Sequence, residues 1–183
     1  DAILARGGVP DWSTEMAFQL LETGASSQLP KDRMSALLMD MVRKAAAPDS
    51  LAHQGALFQA SRFLLGKLKS RDALPEIEKL FLDSPKRSQW GLLQGIASMG
   101  GPEAAASLRR ILERTEDRDA RAQIIGALGV SRDPATNALL WELSEKEGDE
   151  NLRFNLLSAL AGRDENRDRI VQQLRSPQLG KQD

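Results

Sequence analysis

Four amides, Gln59, Gln94, Gln123 and Asn155, with Ser158 near the last, are the side chains best suited to recognising another molecule. Each amide offers both a donor and an acceptor, so a row of them can pair with the backbone of an extended segment. Arg121 and Arg153 stand 32 residues apart. Their planar guanidinium groups can hold carboxylates through paired hydrogen bonds. Trp141 aligns with the outward positions Arg109 and Glu78, which makes it a candidate contact anchor. Its competing place is beneath the turn at 145–150. Trp90 shares the register of Ala122 and Phe154 and is expected between helices, and Trp12 is expected to pin the first helix.

The same inventory offers little for catalysis. The acid pairs Glu76/Glu78 and Asp164/Glu165 fall in polar faces or turns, where nothing would drive two carboxyl pKa values apart. His53 is the single histidine, near a helix start, and reads as a surface or capping residue without a second imidazole for a metal. The absence of cysteine excludes disulfides, thiol chemistry and cysteine-built zinc sites. Glycines fall at joints and inside helices, not in a phosphate-cradling loop. The mixed-sign run at 163–169 reads as a solvated turn and helix start. A non-enzymatic protein with no cofactor and no metal is therefore expected. A net charge of −1 with interleaved signs argues against a general nucleic-acid binder, though not against a local basic groove. No apolar run approaches the roughly 20 residues of a membrane span, so a soluble chain, cytoplasmic or exported, is expected. The first residue is Asp1, so either a leader has been removed or the chain is one module of a longer protein.

A repeat positions these residues. Residues 121–129 read Arg-Ala-Gln-Ile-Ile-Gly-Ala-Leu-Gly, near-copies begin 32 residues to either side at Gln89 and Arg153, and a fainter one lies at 54–60. Self-similarity at this period marks a repeat array. Apolar residues make up 41% and aromatics only 4%, a composition that suits closely spaced helices better than a sheet. No period-2 alternation is sustained, so the fold class is all-α. Asp32 is expected to cap a helix with Met34, Leu37, Leu38, Met41 and Val42 on one face. A longer helix, from Asp49 or Ser50 to about Lys69, turns Leu57, Phe58, Ser61, Leu64, Leu65 and Leu68 inward. Further hairpins are punctuated by Gly100-Gly101-Pro102 and Asp133-Pro134, with Gly129 as a helix stop. One hairpin cannot bury both of its apolar stripes, whereas a stack can. Leu93, Ile125 and Leu157 share one core register, and Ile96, Leu128 and Leu160 another. A single domain over 1–183 is expected: a capping region (1–31), a divergent repeat (32–71), repeats at 72–101, 102–133 and 134–165, and a C-terminal cap and tail (166–183).

Asp133-Pro134 opens such a unit, Asp117 with Ala120-Arg121 and Asp149 with Leu152-Arg153 mark its acidic turn and arginine, and Ala127-Leu128-Gly129 and Ala159-Leu160-Ala161 close it. Over about 72–165 this resembles the short bacterial HEAT-like repeat, the type named after phycobilin lyases. The resemblance implies a right-handed α-solenoid whose second helices line a concave face, here carrying Gln59, Gln94, Gln123 and Asn155. It also implies that Arg121 and Arg153 bond acidic groups of their own or a neighbouring repeat. The expected function is a scaffold for a protein or peptide partner, including other domains of a longer chain. One alternative is nucleic-acid recognition resembling the HEAT-like alkylpurine DNA glycosylases, with Arg121, Arg153, Trp90 and Asp117 in the groove. Another is a bilin lyase subunit. The single histidine argues against a deoxyhypusine hydroxylase, which needs several His-Glu pairs for iron.

Overall fold

The computed structural model describes residues 30–47, 54–83 and 86–175. These form helices α1 (Lys31–Ala46), α2 (Gln54–Ser61), α3 (Leu74–Asp83), α4 (Lys86–Met99), α5 (Gly101–Glu113), α6 (Arg118–Val130), α7 (Pro134–Lys146), α8 (Glu150–Ala161) and α9 (Arg167–Arg175). No strand occurs among the described residues. The expectations for Trp12, for the capping region up to residue 29, for a cap at Asp49 or Ser50, for His53 and for the tail beyond residue 175 lie outside them. The chain divides into two compact units, Asp1–Met99 and Gly100–Asp183.

In unit 1, α1 with α2 and α3 with α4 form hairpins. Asp32 is not the cap expected of it. Pro30 holds the cap position of α1 with no side-chain hydrogen bond, and Asp32 sits in the first turn, where a negative charge still suits the helix dipole. The buried arc is centred on Met34, Leu38, Met39 and Val42, leaving Leu37 and Met41 half-buried. The expected long helix continues from α2 as a π-helical turn, Arg62–Lys67. Here α2 and α4 approach closely. Ser61 Oγ donates to the Gly91 carbonyl at 2.9 Å. A Cβ on Gly95 would lie 2.4 Å from the Ser61 side chain, and one on Gly66 would lie 2.8 Å from Ser98 Oγ. The chain leaves this seam through Lys69 at φ 52°, a left-handed residue of the kind that ends helices.

Unit 2 repeats the hairpin plan with cleaner caps. Asp117 accepts from the Ala120 N–H, Asp133 from Ala135, and Asp149 from Asn151 and Leu152, each satisfying a helical donor that lacks a partner in its own turn. Asp133 also takes the Gly101 N–H at 2.8 Å. Gly100 and Gly101 have φ values of 64° and 80°, a region that favours glycine. Helices α6 and α8 pack together, as do α5 and α7. Gly129 does not end its helix, because α6 runs on to Val130. A Cβ there would sit 2.9 Å from the Ala159 Cβ, so Gly129 serves the contact between α6 and α8. Leu160 is buried as its register requires, whereas at the other expected core position Leu157 is only half-buried and its neighbour Leu156 is buried instead.

The charge run at 163–169 is not wholly solvated. Arg163 is 1% exposed. Its Nη2 donates to the Leu128 carbonyl at 3.1 Å and to the Ser131 carbonyl, supplying a cation and donors at the electron-rich end of α6. Burial holds its pKa below the ordinary arginine value. Two ion pairs link first helices of successive hairpins. Arg43 makes a two-pronged contact with Glu76, the Nη2 bond being 2.8 Å, and Arg109 bonds Glu142.

Candidate functional site

The second helices of the hairpins present the surfaces available for recognition. In unit 1 the face of α2 and α4 carries an aromatic pair. Trp90 is 44% exposed, and its ring lies 5.3 Å from that of half-buried Phe58 at a 45° tilt. The expectation that Trp90 is buried between helices is therefore overturned. The inward arc of α4 is filled by Leu92, Leu93, Ile96 and Ala97, and Trp90 instead flanks the seam beside Phe58. The Arg62 guanidinium lies 5.9 Å from the Phe58 ring centroid, within the range of a cation–π contact. Gln59 is exposed and Gln94 half-buried on the same helices. Phe58, Trp90, Ala122 and Phe154 follow one another at intervals of 32 residues, so one register carries this feature along the chain.

In unit 2 that register gives a different surface. Phe154 is 70% exposed and Val130 64%. Between α6 and α8 runs an open groove of about 440 Å³, lined by Ala122, Ile125, Gly126, Gly129, Val130, Arg132, Asn155, Ser158, Ala159 and Gly162. Asn155 and Ser158 thus line a groove, as the amide row requires, while Gln123 is exposed on α6 outside that lining. Arg132 closes one end by donating to the Gly162 carbonyl at 2.9 Å.

Arg121 is committed to the fold. It bonds Glu147 at 3.0 Å and the carbonyls of Leu112 and Thr115. Arg153, in the same register, is half-buried, and its Nε has no hydrogen-bond partner. Asp117 serves as the cap of α6. Trp141 is no outward anchor. It is 6% exposed, donates from Nε1 to Asn166 at 3.1 Å and lies under the Arg169 guanidinium, 4.0 Å from its ring centroid. Its cover comes from α9 and the short 3-10 turn Asp164–Asn166, and the covering Arg169 is itself bonded to Glu145 at 3.0 Å. The alignment with Arg109 fails because Asn166 and Arg169 of the following elements cover the Trp141 ring.

Sequence reasoning missed Phe58 as a surface residue and missed Arg62. The 32-residue register was the available signal, since a position held by Phe, Trp, Ala and Phe tolerates a range of volumes that a close-packed core does not. Among the described residues no group of three or more His, Cys, Asp or Glu is placed to hold a metal ion, and no helix is long and apolar enough to cross a membrane.

No curated protein and no solved structure matches the chain. A family model described as HEAT repeats matches residues 79–161, from within α3 to the end of α8. The hairpins, the Asp-capped second helices and this match together identify the segment 79–161 as HEAT-like repeats.

Proposed function

We propose that the chain is a non-enzymatic scaffold that docks a protein or peptide segment on its second-helix faces. The observation that carries the reading is where exposed apolar bulk collects. Trp90, Val130 and Phe154 stand exposed on α4, α6 and α8, while α1, α3, α5 and α7 expose no large hydrophobic residue and α9 exposes Val171, the least exposed of the four. Exposed aromatic side chains beside polar amides are the usual makings of a contact surface. The HEAT-repeat match supports the same reading at the level of the fold, and fold alone does not assign a partner. The finer resemblance, to bacterial repeats of the phycobilin-lyase type, remains part of the proposal.

A nucleic-acid reading is favoured by one observation, the exposure of Trp90 on helices that carry only basic charge. It loses Arg121 and Asp117, which are engaged in the fold.

Selecting binders from a displayed peptide library, then comparing Trp90→Ala and Phe154→Ala with Glu78→Ala on α3, tests the proposal. Binding weakened by the second-helix changes alone supports it. Binding weakened only by Glu78→Ala overturns it.

A further inference from the structure

We infer that the α2–α4 face of unit 1 takes an acidic peptide segment bearing an apolar anchor residue. This rests on the scaffold reading and names its partner. Charge is segregated within the described part of unit 1. Residues 54–71 contain Arg62, Lys67, Lys69 and Arg71 and no acid, and α4 contains Lys86 and Arg87 and no acid. The acids of the described unit lie on α1 and α3 and at Asp72, just before α3. Among them, Glu76 is already bonded to Arg43 on the first-helix side. Exposed Arg62 and Lys67 thus lie on a turn packed against α4, the helix that exposes Trp90.

The site has two parts. Phe58 and Trp90, tilted at 45°, form an apolar notch for a leucine or aromatic side chain. Arg62, held against Phe58, and exposed Lys67 make no ion pair among the described residues and meet carboxylates beside that anchor. Gln59 and Gln94 supply donors and acceptors for the peptide backbone. The tilt is what favours a peptide over stacked bases. Successive bases need open aromatic faces, whereas these two rings are inclined to each other and Arg62 already lies near Phe58.

The test measures binding of three probes to the full chain at low ionic strength: a synthetic peptide of Asp and Glu with spaced leucines, its Lys-substituted counterpart, and a single-stranded DNA oligonucleotide. The acidic peptide should bind, and Trp90→Ala should weaken it roughly tenfold or more, the size of a contact-centre truncation. Arg62→Glu should weaken it comparably and gain affinity for the Lys peptide, an exchange that misfolding cannot produce. Tighter binding of the oligonucleotide, with steeper salt dependence, would overturn the proposal in favour of nucleic acid. Equal binding of both peptides, lost in Trp90→Ala, would overturn the acidic preference and leave second-helix docking intact. Binding of no probe that responds to either Trp90→Ala or Phe154→Ala would overturn both.

Discussion

The two units are held together alike and finished differently. Arg43 pairs with Glu76 in unit 1 and Arg109 with Glu142 in unit 2, each across 33 residues. Lys69 donates to the Met99 carbonyl and Arg132 to that of Gly162, each across 30 residues. Both hairpin pairs therefore use one ion pair between first helices and one cation at the carbonyl end of the later second helix. Their second-helix faces share a register but not a surface: Phe58 and Trp90 meet in unit 1, whereas in unit 2 Ala122 lines an open groove and Phe154 stands exposed outside its lining. The staples recur because every hairpin must bury the same stripes against a neighbour. The faces are free to diverge because packing does not constrain them.

This comparison can be broken at several points. The largest effect belongs to the core of α8. Leu156→Ala should cost about 2–5 kcal/mol, and Leu157→Ala clearly less, since Leu157 is half-buried. Equal losses in denaturant melts would contradict the register. Arg163→Ala should cost about 3 kcal/mol by stripping charged donors from two carbonyls, with faster amide exchange at the end of α6. A surface-like change in stability would show that the latch at Leu128 and Ser131 contributes little.

Glycines give a smaller effect with opposite signs in the two units. Gly95→Ala forces a Cβ against Ser61 and should destabilise by about 1–3 kcal/mol. Gly126 has nothing within 4 Å of its would-be Cβ, so Gly126→Ala should stabilise α6 by about 0.5–1 kcal/mol. Midpoint shifts of the same sign would remove the distinction between a seam and an open face.

The smallest effect is a pH response of the first-helix staples. The Arg109 hydrogen bond, with help from Lys146, holds Glu142 down from 4.5 to about 2. A depressed carboxyl stabilises the fold above its unfolded pKa and loses that contribution as pH falls through the folded value. Glu142→Gln should therefore flatten the stability–pH curve between about pH 4.5 and 2. The Arg43 hydrogen bond also lowers the Glu76 pKa, so Glu76→Gln should act in the same direction. An unchanged acid limb in both variants would mean that neither staple contributes.

Much of the fold was legible in the sequence because it is periodic. Gly, Pro and Asp mark most joints, and Ile96, Leu128 and Leu160 sit in the core as their register requires. Legibility failed where periodicity fails or where one residue type serves two purposes. Gly129 fits both a helix end and a close helix contact. Trp141 and Arg163 are buried by non-repeating elements around Asn166 and α9, which no alignment of repeats anticipates. Trp90 is exposed where its register with Ala122 and Phe154 suggests burial, since hydrophobicity alone does not separate a core position from a surface one. The Arg43, Glu76, Arg109 and Glu142 spacing is present in the sequence, yet exposed charges carry no sign of their partner until the helices are placed side by side.

Amide hydrogen exchange on the full chain, with and without the acidic leucine-bearing peptide, tests the central claim most directly. Slowed exchange confined to 54–67 and 86–99 is the predicted result. Slowing on α1 and α3, or none anywhere while the peptide is bound, would contradict it.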